Sequence, residues 1–209
     1  MTNNLRCAYE LDNFDITQAV DPTWTWPRAD PEQVTVLTNA VAITDQWIEY
    51  CKTTWQLEYD HTLSFIRPRP HIDPTCHIDI DTQNPDELAP MTAINWCMGG
   101  ERSRMIWWDT LNNPPITGAY TDATGVQTAY RIWPISECKM LDSAHIGLKP
   151  TLTRICLPHS INTARPRWTI SVRFKRIGDW TQTVEHFRQR GAINDTIANT
   201  DNSNSSNLD

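Results

Sequence analysis

The last third of the chain carries the clearest alternation of polar and apolar positions. Arg167, Thr169, Ser171 and Arg173 interleave with Trp168, Ile170, Val172 and Phe174. A period of two is the signature of a strand, which shows alternate side chains to opposite faces. Similar short runs predict strands at Thr62–Arg67, Cys76–Asp81, Met91–Met98, Arg104–Asp109, Ala129–Ile132, Thr151–Leu157 and Trp168–Arg176. Fourteen Pro and seven Gly in the chain leave little room for long helices between them. Many short strands separated by turn clusters favour a sandwich or barrel over a parallel βαβ fold. For the last strand, the plainer reading puts its polar face in water; the alternative turns that face toward a pocket.

Helical spacing occurs at both ends of this region. Val36, Ala40, Ile43, Trp47 and Cys51 recur at steps of three and four, which predicts a helix from Gln33 to about Trp55, started by Asp30-Pro31. The β-branched run Val34, Thr35, Val36 and Thr38 works against its beginning. Trp180, Val184 and Phe187 predict a short docked helix over Asp179–Gln189. The segment Asn112–Gly125 reads as a polar insertion at the edge of a pocket mouth. From Asn194 onward the chain is Asn, Asp, Ser and Thr with little to bury, which predicts disorder. The organisation is therefore 1–59, an N-terminal extension with a supporting helix; 60–178, a β core; 179–193, a C-terminal helix; and 194–209, a polar tail.

Composition narrows the function. A net charge of −7 disfavours broad binding to nucleic acid. Arg165, Arg167, Arg173, Lys175 and Arg176 nonetheless concentrate positive charge late in the chain, which suits a local anion site. Ten Trp supply rings for a core and for pocket walls. The six cysteines, Cys7, Cys51, Cys76, Cys97, Cys138 and Cys156, lack CxxC spacing, which sets aside a zinc knuckle or thioredoxin-like motif, and without an apolar leader the simpler expectation is free thiols in a reducing compartment. The polar start Met1-Thr2-Asn3-Asn4 and the lack of any long apolar run predict a cytoplasmic protein with no membrane segment.

Candidate chemistry comes from the histidines. His77-Ile78-Asp79 places an imidazole and a carboxylate on one side of a strand, and His159 sits between two strand-like runs near the end of the β region. Two imidazoles and one carboxylate on one face of a metal leave coordination positions open, the usual set of non-heme Fe(II) oxygenases. The motif is weak by itself, because His71-Ile72-Asp73 repeats it six residues earlier. Ile78, Ile80 and the strand pattern favour the second copy, while Pro74 directly after Asp73 points to a turn. His61, His145 and His186 sit in surface, turn or helix contexts. An arginine opening the last strand, Arg167 with Arg165 and Arg173 as rivals, would grip an organic carboxylate.

The runs Lys149-Pro150-Thr151, Pro158-His159-Ser160 and Arg167 through Phe174, with His77-Ile78-Asp79 and Ala93-Ile94-Asn95-Trp96, resemble signatures of the Fe(II)/2-oxoglutarate-dependent oxygenases, particularly small hydroxylases of bacteria and phages. The resemblance spans roughly residues 60 to 176. It implies a mainly β, double-stranded β-helix (jelly-roll) fold with His77, Asp79 and His159 as iron ligands. Arg167 would hold the distal carboxylate of 2-oxoglutarate, with the Thr169 hydroxyl beside it, and Asn95 would add a polar contact to co-substrate or iron shell. The implied function is hydroxylation of a peptide side chain, amino acid or small metabolite, with Fe(II) and 2-oxoglutarate and no catalytic residue besides the ligands. That agrees with the absence of a GxSxG signature. The competing expectation is a jelly-roll binding or structural protein of viral type, without catalysis. A cupin-like enzyme with another metal lacks its cluster of three His and a Glu.

Overall fold

The computed structural model describes residues 5–23, 35–79, 92–99, 102–121, 125, 127–175 and 177–194. Among them run the strands β1 (Ala8–Glu10), β2 (Thr35–Thr38), β3 (Tyr59–Arg67), β4 (His71–Ile72), β5 (Thr75–Ile78), β6 (Thr92–Gly99) and β7 (Arg104–Asp109). They continue with β8 (Ile116–Thr121), β9 (Gln127–Pro134), β10 (Lys139–His145), β11 (Thr151–Arg154), β12 (His159–Thr163) and β13 (Arg167–Phe174). The helices are α1 (Asp45–Trp55) and α2 (Trp180–Gln189).

Eight strands set the topology. β3 pairs with β13, β5 with β12, β6 with β11 and β7 with β10, every pair antiparallel. First matches last and the pairing nests inward, as in a chain folded back on itself and then wound into two facing sheets. That is a jelly roll, as the sequence led us to expect. One sheet has the order β1-β11-β6-β13-β3-β2 and the other β10-β7-β12-β5-β9-β8, with β4 on β12.

The supporting helix is shorter than its spacing predicts. Thr35–Thr38 is a strand, not a helix start, and pairs with β3 through Val36↔Phe65 and Leu37↔Ser64. The β-branched residues fit a pleated surface, and the helical spacing of Val36, Ala40 and Ile43 is coincidental. Helix α1 begins where Thr44, in extended conformation, accepts the Trp47 N–H on its hydroxyl at 3.2 Å, and ends at left-handed Gln56. The polar insertion is also more ordered than a loop, because β8 and β9 form an antiparallel hairpin inside the seven-stranded sheet. Helix α2 matches its prediction and opens with a reciprocal cap between Asp179 and Gln182. Of the predicted polar tail, residues 195–209 lie outside the described residues.

The larger core lies between the six-stranded sheet and the helices. Trp47 meets Trp96 and Phe174 with ring centroids 6.3 and 6.2 Å away, and Phe187 meets Trp55 at 6.0 Å. Truncating a ring buried like Trp47 or Phe187 to alanine costs about 3–5 kcal/mol. Strand β13 joins that core through Ile170, Val172 and Phe174. Its other face, Arg167, Thr169, Ser171 and Arg173, is buried too, and lines a cavity of about 370 Å³. The polar face is therefore turned inward, against the plainer reading of the sequence. Trp168, an apolar position, is the exposed one at 41 %.

Candidate metal centre

The cavity is walled by both sheets, and its polar groups gather where β5, β12 and β13 come closest. Antiparallel pairing puts His77 directly opposite His159, their ring centroids 4.5 Å apart. Asp79 follows the last residue of β5 and, two positions from His77, points to the same side. Its Oδ1 lies 3.5 Å from His77 Nε2 and 3.7 Å from His159 Nε2. A ligand atom from each of the three falls within 4.8 Å of the other two. Donors about 2.1 Å from one ion stand about 3.0–3.4 Å from each other, so a small inward movement completes the set.

Protonation favours ligation. His159 Nδ1 lies 2.9 Å from the Leu157 carbonyl, which can only accept, so Nδ1 carries the proton and Nε2 presents its lone pair to the cavity. Burial first, then neighbouring His77, pulls the His159 pKa down to about 4, which leaves the ring neutral at pH 7. For Asp79, burial pushes upward, but the Arg173 guanidinium, the His77 hydrogen bond and His159 outweigh it and hold the carboxyl far below its usual range. A neutral imidazole and an ionised carboxylate are the forms that bind metal. Arg173 grips Asp79 Oδ2 and leaves Oδ1 turned toward both rings.

The other expected residues separate cleanly. Arg167 is 2 % exposed and leans along β13 over Thr169, donating from Nε at 3.1 Å and from Nη2 at 2.8 Å to its hydroxyl. Nη2 also donates to Cys97 Sγ at 2.8 Å, while Nη1 is buried without a hydrogen-bond partner. A buried guanidinium N–H at a cavity wall suits an anionic oxygen as its acceptor. Arg165 is exposed and Arg173 already grips the Asp79 carboxylate, whereas the bonds of Arg167 go to a hydroxyl and a thiol, so of the three rivals Arg167 is the buried one not committed to an acidic group of the candidate centre. Asn95 lines the cavity, but its amide donates to Thr153 Oγ1 at 2.8 Å and accepts from Ser171 Oγ, so much of its capacity is spent inside the sheet.

His71 and Asp73 do not form a second centre. Asp73 takes two hydrogen bonds from Arg67, at 2.8 and 3.2 Å, and one from the Ile161 backbone N–H at 2.8 Å, with His71 Nε2 at 3.0 Å. Among the described residues the one cluster able to hold a metal is His77, Asp79 and His159.

Neither a family model nor a curated protein matches the chain.

The functional reading therefore stands on this geometry. Sequence reasoning passed over Arg67, which lies opposite Arg167 across β3 and β13 and lines the cavity beside it. Nothing in Arg67-Pro68-Arg69-Pro70 marks it as inward-facing. The sequence offers Arg173 only as a rival anion grip, whereas this residue holds Asp79 of the candidate cluster; its place on the Arg167 face is readable from parity. No helix of the described residues is long and apolar enough to cross a membrane.

Proposed function

We propose that this protein is a non-heme Fe(II)- and 2-oxoglutarate-dependent hydroxylase acting on a peptide side chain, amino acid or small metabolite. The observation that carries the reading is a coincidence in one cavity. A His/Asp/His donor set with open positions shares its walls with Arg167, a buried cation whose Nη1 has no partner. The first suits a first-row divalent ion and the second suits a carboxylate, so the residues fit both groups.

His77 Nε2, Asp79 Oδ1 and His159 Nε2 would hold the ion. Arg173, by occupying the other oxygen of Asp79, would leave it a single donor atom for the ion. Arg167 Nη1 and the Thr169 hydroxyl would take the distal carboxylate of 2-oxoglutarate; a lysine would keep the charge and lose the fork. Leu63, Phe65, Met105, Ile155 and Ile161 add an apolar stretch of wall that would limit water at the reacting atoms. With dioxygen as oxidant, iron and the 2-oxo acid would supply oxidative decarboxylation to succinate and carbon dioxide coupled to insertion of one oxygen atom into a substrate C–H bond, chemistry that needs no protein nucleophile.

The test is succinate production from 2-oxoglutarate by the purified chain with Fe(II), ascorbate and air. Formation that disappears in Asp79→Ala supports the proposal. Absence of succinate from a folded protein that still binds metal favours a non-catalytic jelly-roll binding protein.

A further inference from the structure

One thiol pair lies just behind the metal-ligand strand and takes no part in the centre. Cys76 precedes His77 on β5, and by strand parity its side chain points away from the cavity. Its sulfur lies 3.8 Å from that of Cys138, 62 residues later, at the end of the turn between β9 and β10. Backbone contacts fix both sulfurs. The Ile135 N–H donates to the Pro74 carbonyl at 3.1 Å and the Cys138 N–H to the Ile135 carbonyl at 3.0 Å, while Cys76 is in register with Trp133 of β9. Cys76 is fully buried and Cys138 is partly exposed, so an oxidant in solution reaches the pair from one side.

We infer that Cys76 and Cys138 are a redox modification site, closing reversibly to a disulfide that ties the His77-bearing strand to the turn before β10. A disulfide needs sulfurs about 2.05 Å apart, so closure asks for about 1.8 Å, within reach of side-chain rotation. The oxidant class is a low-molecular-weight disulfide such as glutathione disulfide. The Cys138 thiolate attacks one of its sulfurs, forming a mixed disulfide and releasing one glutathione thiol. The Cys76 sulfur then attacks that of Cys138, forms the protein S–S bond and releases the second thiol. Two S–H bonds are lost, one S–S bond is made, and two electrons and two protons pass to the oxidant. The six cysteines are reduced in this structure, so what distinguishes this pair is its distance and scaffold rather than a bond already made.

The experiment treats the native, fully reduced chain with glutathione disulfide, alkylates the remaining thiols and maps peptides by mass. The expected result is four of the six thiols left free, the lost pair mapped to Cys76 and Cys138, and full return with dithiothreitol. Amide hydrogen exchange across residues 75–78 slows in the oxidised form and is unchanged by the same treatment of Cys138→Ser. Six free thiols after oxidation, a glutathione adduct stalled on Cys138, a different pair, or unaltered exchange across 75–78 would each overturn the inference.

Discussion

The chain holds the same three-residue motif twice, six residues apart, and the two copies end differently. In His71-Ile72-Asp73 and in His77-Ile78-Asp79 the carboxylate sits beside its own histidine, at 3.0 and 3.5 Å, and pairs with an inward arginine, Arg67 or Arg173. The difference comes from β12. Toward Asp73 it presents the backbone N–H of Ile161, and toward Asp79 the imidazole of His159. Asp73 therefore has both oxygens filled by structural donors and knots three segments together. Asp79 keeps Oδ1 facing two ring nitrogens, an arrangement able to donate to a metal rather than closing on itself. The chemistry of such a motif is decided by what the neighbouring strand brings to it.

Alanine at each aspartate breaks that comparison most sharply. Each substitution strands a buried arginine, so both Asp73→Ala and Asp79→Ala should lower unfolding free energy by about 3–5 kcal/mol in urea titrations. They part in metal binding. Calorimetry with Co(II) should show affinity reduced more than about 100-fold in Asp79→Ala and little changed in Asp73→Ala. The opposite pattern would move the centre to the first copy.

Next in size is a pH effect confined to the second copy. His159 is held neutral in the fold, with a pKa of about 4 against about 6.5 when exposed. Between those values the unfolded chain binds the extra proton, so the metal-free protein should lose about 3 kcal/mol of stability as pH falls from 6.5 to 4. His159→Gln should flatten that part of the profile, as read by denaturant melts at each pH.

The smallest effect expected is at the anion end. Arg167→Lys should weaken 2-oxoglutarate binding by about tenfold, roughly 1.4 kcal/mol, and leave Co(II) affinity as it was. Equal co-substrate affinity in that variant would transfer the role to another cation on the cavity wall.

Much of this was legible in the sequence, for reasons that differ by element. The strict alternation of Arg167–Phe174 specified a strand, and the His-x-Asp parity placed His77 and Asp79 on one side. Which face of β13 pointed inward was not legible, because alternation fixes the period and not the direction of the core. Strand β12 escaped prediction because His-Ser-Ile-Asn-Thr offers a single apolar residue, and its position is set by pairing with β5 and β7. The edge strand β2 was hidden by an accidental helical spacing that tertiary pairing overrode. The tie between Arg67 and Asp73 joins the end of one strand to the start of another, and no local pattern announces it.

The most direct measurement is an anaerobic titration of the wild-type chain with Fe(II) and 2-oxoglutarate, followed by visible absorption. The expected result is one ion per chain and a charge-transfer band that appears only when both are present, persists in Asp73→Ala and vanishes in Asp79→Ala. A wild-type protein that binds no iron, or a band of equal strength in Asp79→Ala, would contradict it.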